Sequence, residues 1–192
     1  MVLMKRLWVT GYRNYELNVF GQKDPKIAVI KYALSNTLTN LLEDAELDWL
    51  ITGPNLGVEQ YAIEVGLELR KKYPLKVSMM TPYQNFAHRW NEDNQNKFLA
   101  LKDQVDFYAS TSNSDYHSPV QLRNYQNFML LHTDSALMIY DPEFPGKPKF
   151  DYELINKYQQ NHDYELNLID FFQLQDLAQE YEESQRKDPF EY

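Results

Sequence analysis

Two hydrophobic patterns alternate along the chain. Short apolar runs of strand length fall at residues 6–10, 48–52, 75–81, 105–110, 135–140 and 166–169. Between them lie longer stretches whose apolar residues recur every three or four positions, which is helical spacing. The first such stretch opens at Asp24-Pro25, a capping residue followed by a first-turn proline, and carries Ile27, Ile30, Leu34, Leu38 and Leu41 on one face. The second covers 55–73, with Val58, Ala62, Val65 and Leu69 on one face, and stops at Pro74. Further helices are predicted over about 90–104, 119–132 and 150–160, and a last one opens at Asp170. Pro82 and Asp141-Pro142 end the third and fifth strands.

Strands separated by helices predict an α/β fold: a doubly wound, mainly parallel Rossmann-like sheet with helices on both faces. We read residues 1–179 as a single domain of this kind and 180–192 as a charged C-terminal tail, disordered or an interface. In such sheets ligands lie beyond the carboxyl ends of the strands, near the point where strand order reverses. The loops that follow the strands are therefore where chemistry is sought.

Composition narrows the classes. The chain has 192 residues, 43% of them hydrophobic and 15% aromatic, which is enough for one well-buried core. It contains no cysteine, so disulfides, thiol nucleophiles and cysteine-ligated zinc are excluded, and a reducing cytoplasmic setting is expected. The apolar run 7–9 is too short for a signal peptide, and no stretch has the length to span a membrane. A net charge of −9 argues against general affinity for nucleic acid. The four histidines show no metal-binding spacing, and the G-x-G-x-x-G, G-x-S-x-G and G-x-x-x-x-G-K-[ST] signatures are absent.

The strand ends supply the candidates. The run Thr52-Gly53-Pro54-Asn55-Leu56-Gly57-Val58-Glu59 lies between the second strand and its helix. A glycine-bearing turn at the positive end of a helix presents backbone N–H groups to a phosphate or another anion. Glu59 reads either as a first-turn charge favoured by the helix dipole or as an acceptor for a ribose or base. After the first strand, Gly11 and Tyr12 lead to Arg13, a planar donor for an anion or a solvated turn residue. Tyr83, with Trp90 downstream, stacks on a flat base or caps the core. Gln121, Arg123, Asn124 and Asn127 open the fourth major helix and form either a ligand-facing or a solvent-facing polar stripe. Asp141 and Glu143 follow the most apolar strand, as an acid–base pair or as turn residues.

Taken together, Thr10-Gly11-Tyr12-Arg13, Thr52-Gly53-x-x-x-Gly57-Val58-Glu59, Thr81-Pro82-Tyr83, Ser118-Pro119-x-Gln121, Asn127-Phe128 and Tyr140-Asp141-Pro142-Glu143 resemble the YpsA family of bacterial proteins in the SLOG superfamily. The resemblance covers about 7–169 and leaves the acidic tail outside. It implies a Rossmann-like fold that binds a nucleotide-derived ligand, with no agreed reaction, and a setting in bacterial cell division. The superfamily includes LOG-type nucleotide phosphoribohydrolases and DprA, which loads single-stranded DNA. The LOG motif P-G-G-x-G-T is missing here, where the chain reads Asp141-Pro142-Glu143-Phe144-Pro145-Gly146.

The leading expectation is thus a binding or sensing protein for a nucleotide or nucleotide-derived, ADP-ribose-like small molecule. Its ligand would be held by Gly11, Tyr12, Arg13, Gly53, Asn55, Gly57, Glu59, Tyr83, Gln121, Arg123, Asn127 and Asp141. N-glycosidic hydrolysis by Glu59 or Glu143, and single-stranded nucleic-acid binding by analogy with DprA, are the alternatives. A protein partner or a homodimer is left open.

Overall fold

The computed structural model describes residues 4–186. Among them, six strands and six helices alternate: β1 Arg6–Gly11, α1 Pro25–Glu43, β2 Trp49–Thr52, α2 Val58–Leu69, β3 Lys76–Thr81, α3 Glu92–Gln104, β4 Phe107–Ser110, α4 Val120–Leu131, β5 Ser135–Ile139, α5 Lys149–Gln159, β6 Glu165–Ile169 and α6 Phe171–Gln185. The strands form one sheet in the order β4-β3-β2-β1-β5-β6, and every pairing is parallel. The chain winds outward from β1 to β4, then returns to lay β5 against the other side of β1. The switch in strand order therefore lies between β1 and β5.

The burial pattern explains why the strands read as short apolar runs. Side chains alternate across a strand, and here both faces are covered. Leu7 and Val9 of β1, with Leu137 and Ile139 of β5, join one cluster with Ile30 and Leu34 of α1, Ala62 and Ile63 of α2, and Phe98 of α3. Trp8 of β1, with Ala136 and Met138 of β5, joins a second cluster with Met129 of α4 and Ile155 of α5. Each fully buried apolar side chain contributes about 1.5–3 kcal/mol. Thr10 lies two positions beyond Trp8 and points to the same α4/α5 side, whereas Gly11 lies against Val58 of α2.

Local signals fix the helix starts. The Asp24 side chain accepts the Lys26 N–H and Pro25 occupies the first turn of α1. Asn91 caps α3 through the Asn94 N–H. Asp170 and Gln173 form a reciprocal capping box on α6.

Several boundaries differ from the sequence reading. Helix α2 begins at Val58 rather than 55, because the chain from Gly53 to Gly57 is still turning, and it ends at Leu69, four residues short of Tyr73. Strand β4 begins at Phe107; Val105 caps α3, and the Asp106 N–H donates to the Val77 carbonyl. Strand β6 begins one residue early, at Glu165. Helix α6 runs on to Gln185, so the first part of the expected tail is helical, and Tyr181 packs on Tyr32 of α1 with ring centroids 5.4 Å apart. The rest of that tail, 187–192, lies outside the described residues.

Candidate functional site

Beyond the carboxyl ends of β1, β2 and β3, the loops and the first turns of α4 and α5 enclose a cleft of about 520 Å³. Its floor is made by Glu59 and Asp151. Tyr83, Phe86 and Phe150 stand as aromatic wall, and Arg13, Arg123 and Lys147 supply positive charge.

The floor is built from four separate elements, β1, α2, α4 and α5. Thr10, the last but one residue of β1, has its hydroxyl 2.9 Å from Asp151 Oδ2 and 3.3 Å from Glu59 Oε1. Gln126 of α4 donates its amide N–H to Asp151 Oδ1 at 2.6 Å. Glu59, in the first turn of α2, reaches back so that Oε2 accepts the Asn55 N–H at 2.8 Å. Both carboxyl groups are buried, Glu59 at 2% exposure and Asp151 at 8%. Desolvation raises the Glu59 carboxyl above its ordinary value, against the opposing pull of the Arg13 guanidinium and the Asn55 N–H. Desolvation raises Asp151 in the same way, opposed by Gln126, Arg13 and Thr10.

Tyr125 completes the floor. Its hydroxyl is buried with no hydrogen-bond partner among the described residues. Burial, together with the nearby Glu59 and Asp151 carboxylates, holds this phenol well above its ordinary pKa, so it stays protonated. Gly53 lies beneath: a Cβ there would sit 2.5 Å from the Tyr125 hydroxyl and 2.6 Å from Glu59 Oε2. The glycine is needed for close approach, and the groups it admits are the protein's own.

The turn itself is closed by the chain. Gly57 has φ 135° and ψ −137°, a conformation open to glycine and strained for other residues. A Cβ at Gly57 would lie 2.5 Å from the Tyr12 carbonyl oxygen. Gly57 bridges Arg13, the Val58 N–H donates to the Tyr12 carbonyl at 3.1 Å, and the Asn14 N–H donates to the Leu56 carbonyl at 3.0 Å. Two N–H groups of the expected phosphate cradle are engaged within the protein: Asn55 donates to Glu59 and Val58 to the Tyr12 carbonyl.

Of the twelve residues expected to hold a ligand, Arg13, Asn55, Glu59, Tyr83 and Arg123 line the cleft. Gly53 and Gly57 shape the turn beneath and beside it. Gly11 is a packing glycine, since a Cβ there would lie 2.7 Å from the Ile139 carbonyl oxygen and 2.9 Å from Val58. The Tyr12 hydroxyl donates to the Phe144 carbonyl at 2.6 Å and accepts the Asp141 N–H at 3.0 Å. Its ring lines a separate, mainly apolar groove between α1 and α6 with Phe144 and Phe171. Asp141 accepts the Glu143 and Phe171 N–H groups, which makes it a turn and helix-start residue. Gln121 is buried and ties the 112–118 loop through the His117 and Ser118 N–H groups and the Ser112 hydroxyl. Asn127 is exposed and does not line the cleft, although Arg123 does. Glu143 is also exposed and outside it.

Asp151, Tyr125 and Gln126 were not foreseen as site residues. A weak signal existed for two of them. Asp151 lies four residues before the buried Ile155, and Tyr125 four before the buried Met129, so each polar group occupies the core-facing register of its helix. Among the described residues no group of three or more His, Cys, Asp or Glu side chains is arranged to hold a metal ion. No described helix is long and apolar enough to cross a membrane.

A doubly wound parallel sheet with a cleft beside its strand-order switch defines a Rossmann-like α/β protein. The model of the YspA SLOG family matches residues 7–174, and the chain belongs to that family. It is 66% identical over 187 residues to a UPF0398 protein of Lactobacillus helveticus, covering 97% of this chain and 99% of that one. A UPF0398 protein of Lactobacillus acidophilus is 63% identical over 187 residues, 97% of this chain and all of its own. One from Limosilactobacillus reuteri is 51% identical over 191 residues, again 97% of this chain and all of its own.

Proposed function

We propose that the chain binds a nucleotide or nucleotide-derived small molecule, ADP-ribose-like in character, in the cleft above Glu59 and Asp151. One observation carries the reading: a single cavity combines an aromatic wall, a cationic mouth and a buried hydrogen-bonding floor. Tyr83, Phe86 and Phe150 suit the flat face of a base. Arg123 and Lys147 suit phosphate oxygens. A volume of about 520 Å³ lies in the range of small-molecule sites. A setting in cell division rests on the family resemblance alone.

Isothermal titration with AMP, ADP-ribose and other nucleotides tests the proposal. Saturable binding that is lost in Tyr83→Ala with Arg123→Ala supports it. The absence of heat with every nucleotide, on folded protein, overturns it.

A second reading is hydrolysis of an N-glycosidic bond, favoured by the buried pair Glu59 and Asp151. Water would add to the anomeric carbon as the carbon–nitrogen bond breaks. The ionised carboxylate would take the water's proton, and the protonated one would give its proton to the departing base. Glu143 takes no part in this reading, because it lies outside the cleft. Chromatography of nucleotides after long incubation at high protein concentration decides: free base supports it, and unchanged nucleotide refutes it.

A further inference from the structure

We infer that the floor of the cleft is a subsite for the vicinal hydroxyls of a sugar, so that the ligand enters ribose-first and leaves its anionic group at the mouth beside Arg123 and Lys147. The inference rests on the nucleotide reading for the identity of the whole ligand, and on the geometry of the floor for the sugar.

The floor has more acceptors than donors. Glu59 and Asp151 bring four carboxyl oxygens, and the single Thr10 hydroxyl proton lies within reach of both groups, although it serves only one at a time. Asn55 and Gln126 satisfy one oxygen each. Tyr125, only 8% exposed, lines the same cleft, and its buried hydroxyl bonds to nothing among the described residues. Buried polar groups are almost always paired, so an orphan at the floor of a cleft points to a missing partner.

The chemistry of that partner follows from charge. An anion on the floor would face two carboxyl groups, and the Asn55 and Val58 N–H groups that would greet it are already engaged. A cation already stands beside the pair in Arg13, whose field acts on both acids. A neutral group with two hydrogens to donate and two oxygens to accept fits what remains. A vicinal diol has that inventory: its O–H groups satisfy Glu59 and Asp151, and one oxygen accepts from Tyr125. The cations at the mouth then lie where the 5′-phosphate emerges.

The test is calorimetric titration of the full chain with AMP, 2′-deoxy-AMP, ribose 5-phosphate and 2-deoxyribose 5-phosphate, repeated on Tyr125→Phe and Asp151→Asn. The proposal expects 2′-deoxy-AMP to bind at least about tenfold more weakly than AMP, because the missing hydroxyl leaves a buried acceptor unpaired. It expects both variants to narrow that ratio. Tyr125→Phe removes a hydroxyl that bonds nothing in the fold, so its effect on the ratio is separate from folding. Equal binding of AMP and 2′-deoxy-AMP overturns the sugar floor and leaves the nucleotide reading standing. Preference for ribose 5-phosphate over its deoxy form, with no binding of nucleotides, supports the floor and overturns the nucleotide reading. If neither nucleotides nor sugar phosphates bind, both fall.

Discussion

Replacing Tyr125 by phenylalanine should leave the protein as stable as before, or more so. Tyrosine-to-phenylalanine changes in a core ordinarily cost stability, because the hydroxyl is bonded. Here the hydroxyl is buried without a partner, beside Glu59 and Asp151, among the described residues. Burying such a group unpaired costs about 1–3 kcal/mol. Its removal returns part of that, less the van der Waals attraction forfeited around the small void above Gly53. The expected change is a gain of about 1 kcal/mol, which for a domain of this size is a rise in Tm of roughly 2–4 °C. Urea unfolding followed by fluorescence measures it, with an unchanged m-value showing that the same surface unfolds. A loss of about 1 kcal/mol or more would mean that the hydroxyl is bonded in solution, and the case for a sugar subsite built on it would fail.

Three further outcomes follow from the same geometry. Gly57→Ala should destabilise the fold by at least about 2 kcal/mol, since it adds φ strain to a clash with the Tyr12 carbonyl; a melting curve within about 1 °C of the parent, a shift on the order of a few tenths of a kcal/mol, would refute the turn geometry. Gly53→Ala should instead fold with a smaller loss, because its Cβ meets only the ends of the Tyr125 and Glu59 side chains; it should abolish nucleotide binding by displacing them, and undiminished affinity would contradict the floor. The third concerns pH. A carboxyl raised by burial holds its extra proton in the folded state, so Glu59 and Asp151 lend stability at low pH that is lost as pH rises from their unfolded values, near about 4, through their raised folded ones. Glu64, Asp106 and Asp134 are shifted downward despite desolvation: Lys31 and Lys97 act on Glu64, the Val77 N–H with Lys76 and Arg70 on Asp106, and Arg6 on Asp134. Their contribution is present above the unfolded carboxylate value and fades as pH falls through it and their lowered folded values. Asp151→Asn should therefore flatten the decline in stability toward neutral pH without altering the acid limb; an unchanged slope in urea titrations across that range would refute the buried-acid assignment.

The order of elements was legible because the sheet is covered on both faces. The central strands then show as largely apolar runs, and the helices as stripes bounded by residues such as Asp24, Pro74 or Asp170. Part of the candidate cleft was legible for a related reason: Arg13, Asn55, Glu59 and Tyr83 closely follow strands, where topology places ligands. Three expected residues lie outside the cleft for a common reason. Gln121, Asp141 and Tyr12 are polar and follow strands, but the backbone there needs partners of its own, and these side chains supply them. The glycine turn looked open to phosphate because sequence does not reveal that Glu59 folds back onto the Asn55 N–H. Asp151 and Tyr125 come from helices remote in sequence that cover the opposite face of the sheet. Only tertiary packing joins them to Thr10, and their sole trace in the sequence is a polar group at a core-facing position.

The most direct measurement of the central claim is a crystal structure of the protein grown with AMP at saturating concentration. The account predicts base density against Tyr83 and Phe150, phosphate near Arg123 and Lys147, and the sugar hydroxyls on Glu59, Asp151 and Tyr125. A cleft left empty, or AMP bound instead in the groove between Tyr12, Phe144 and Phe171, would contradict it.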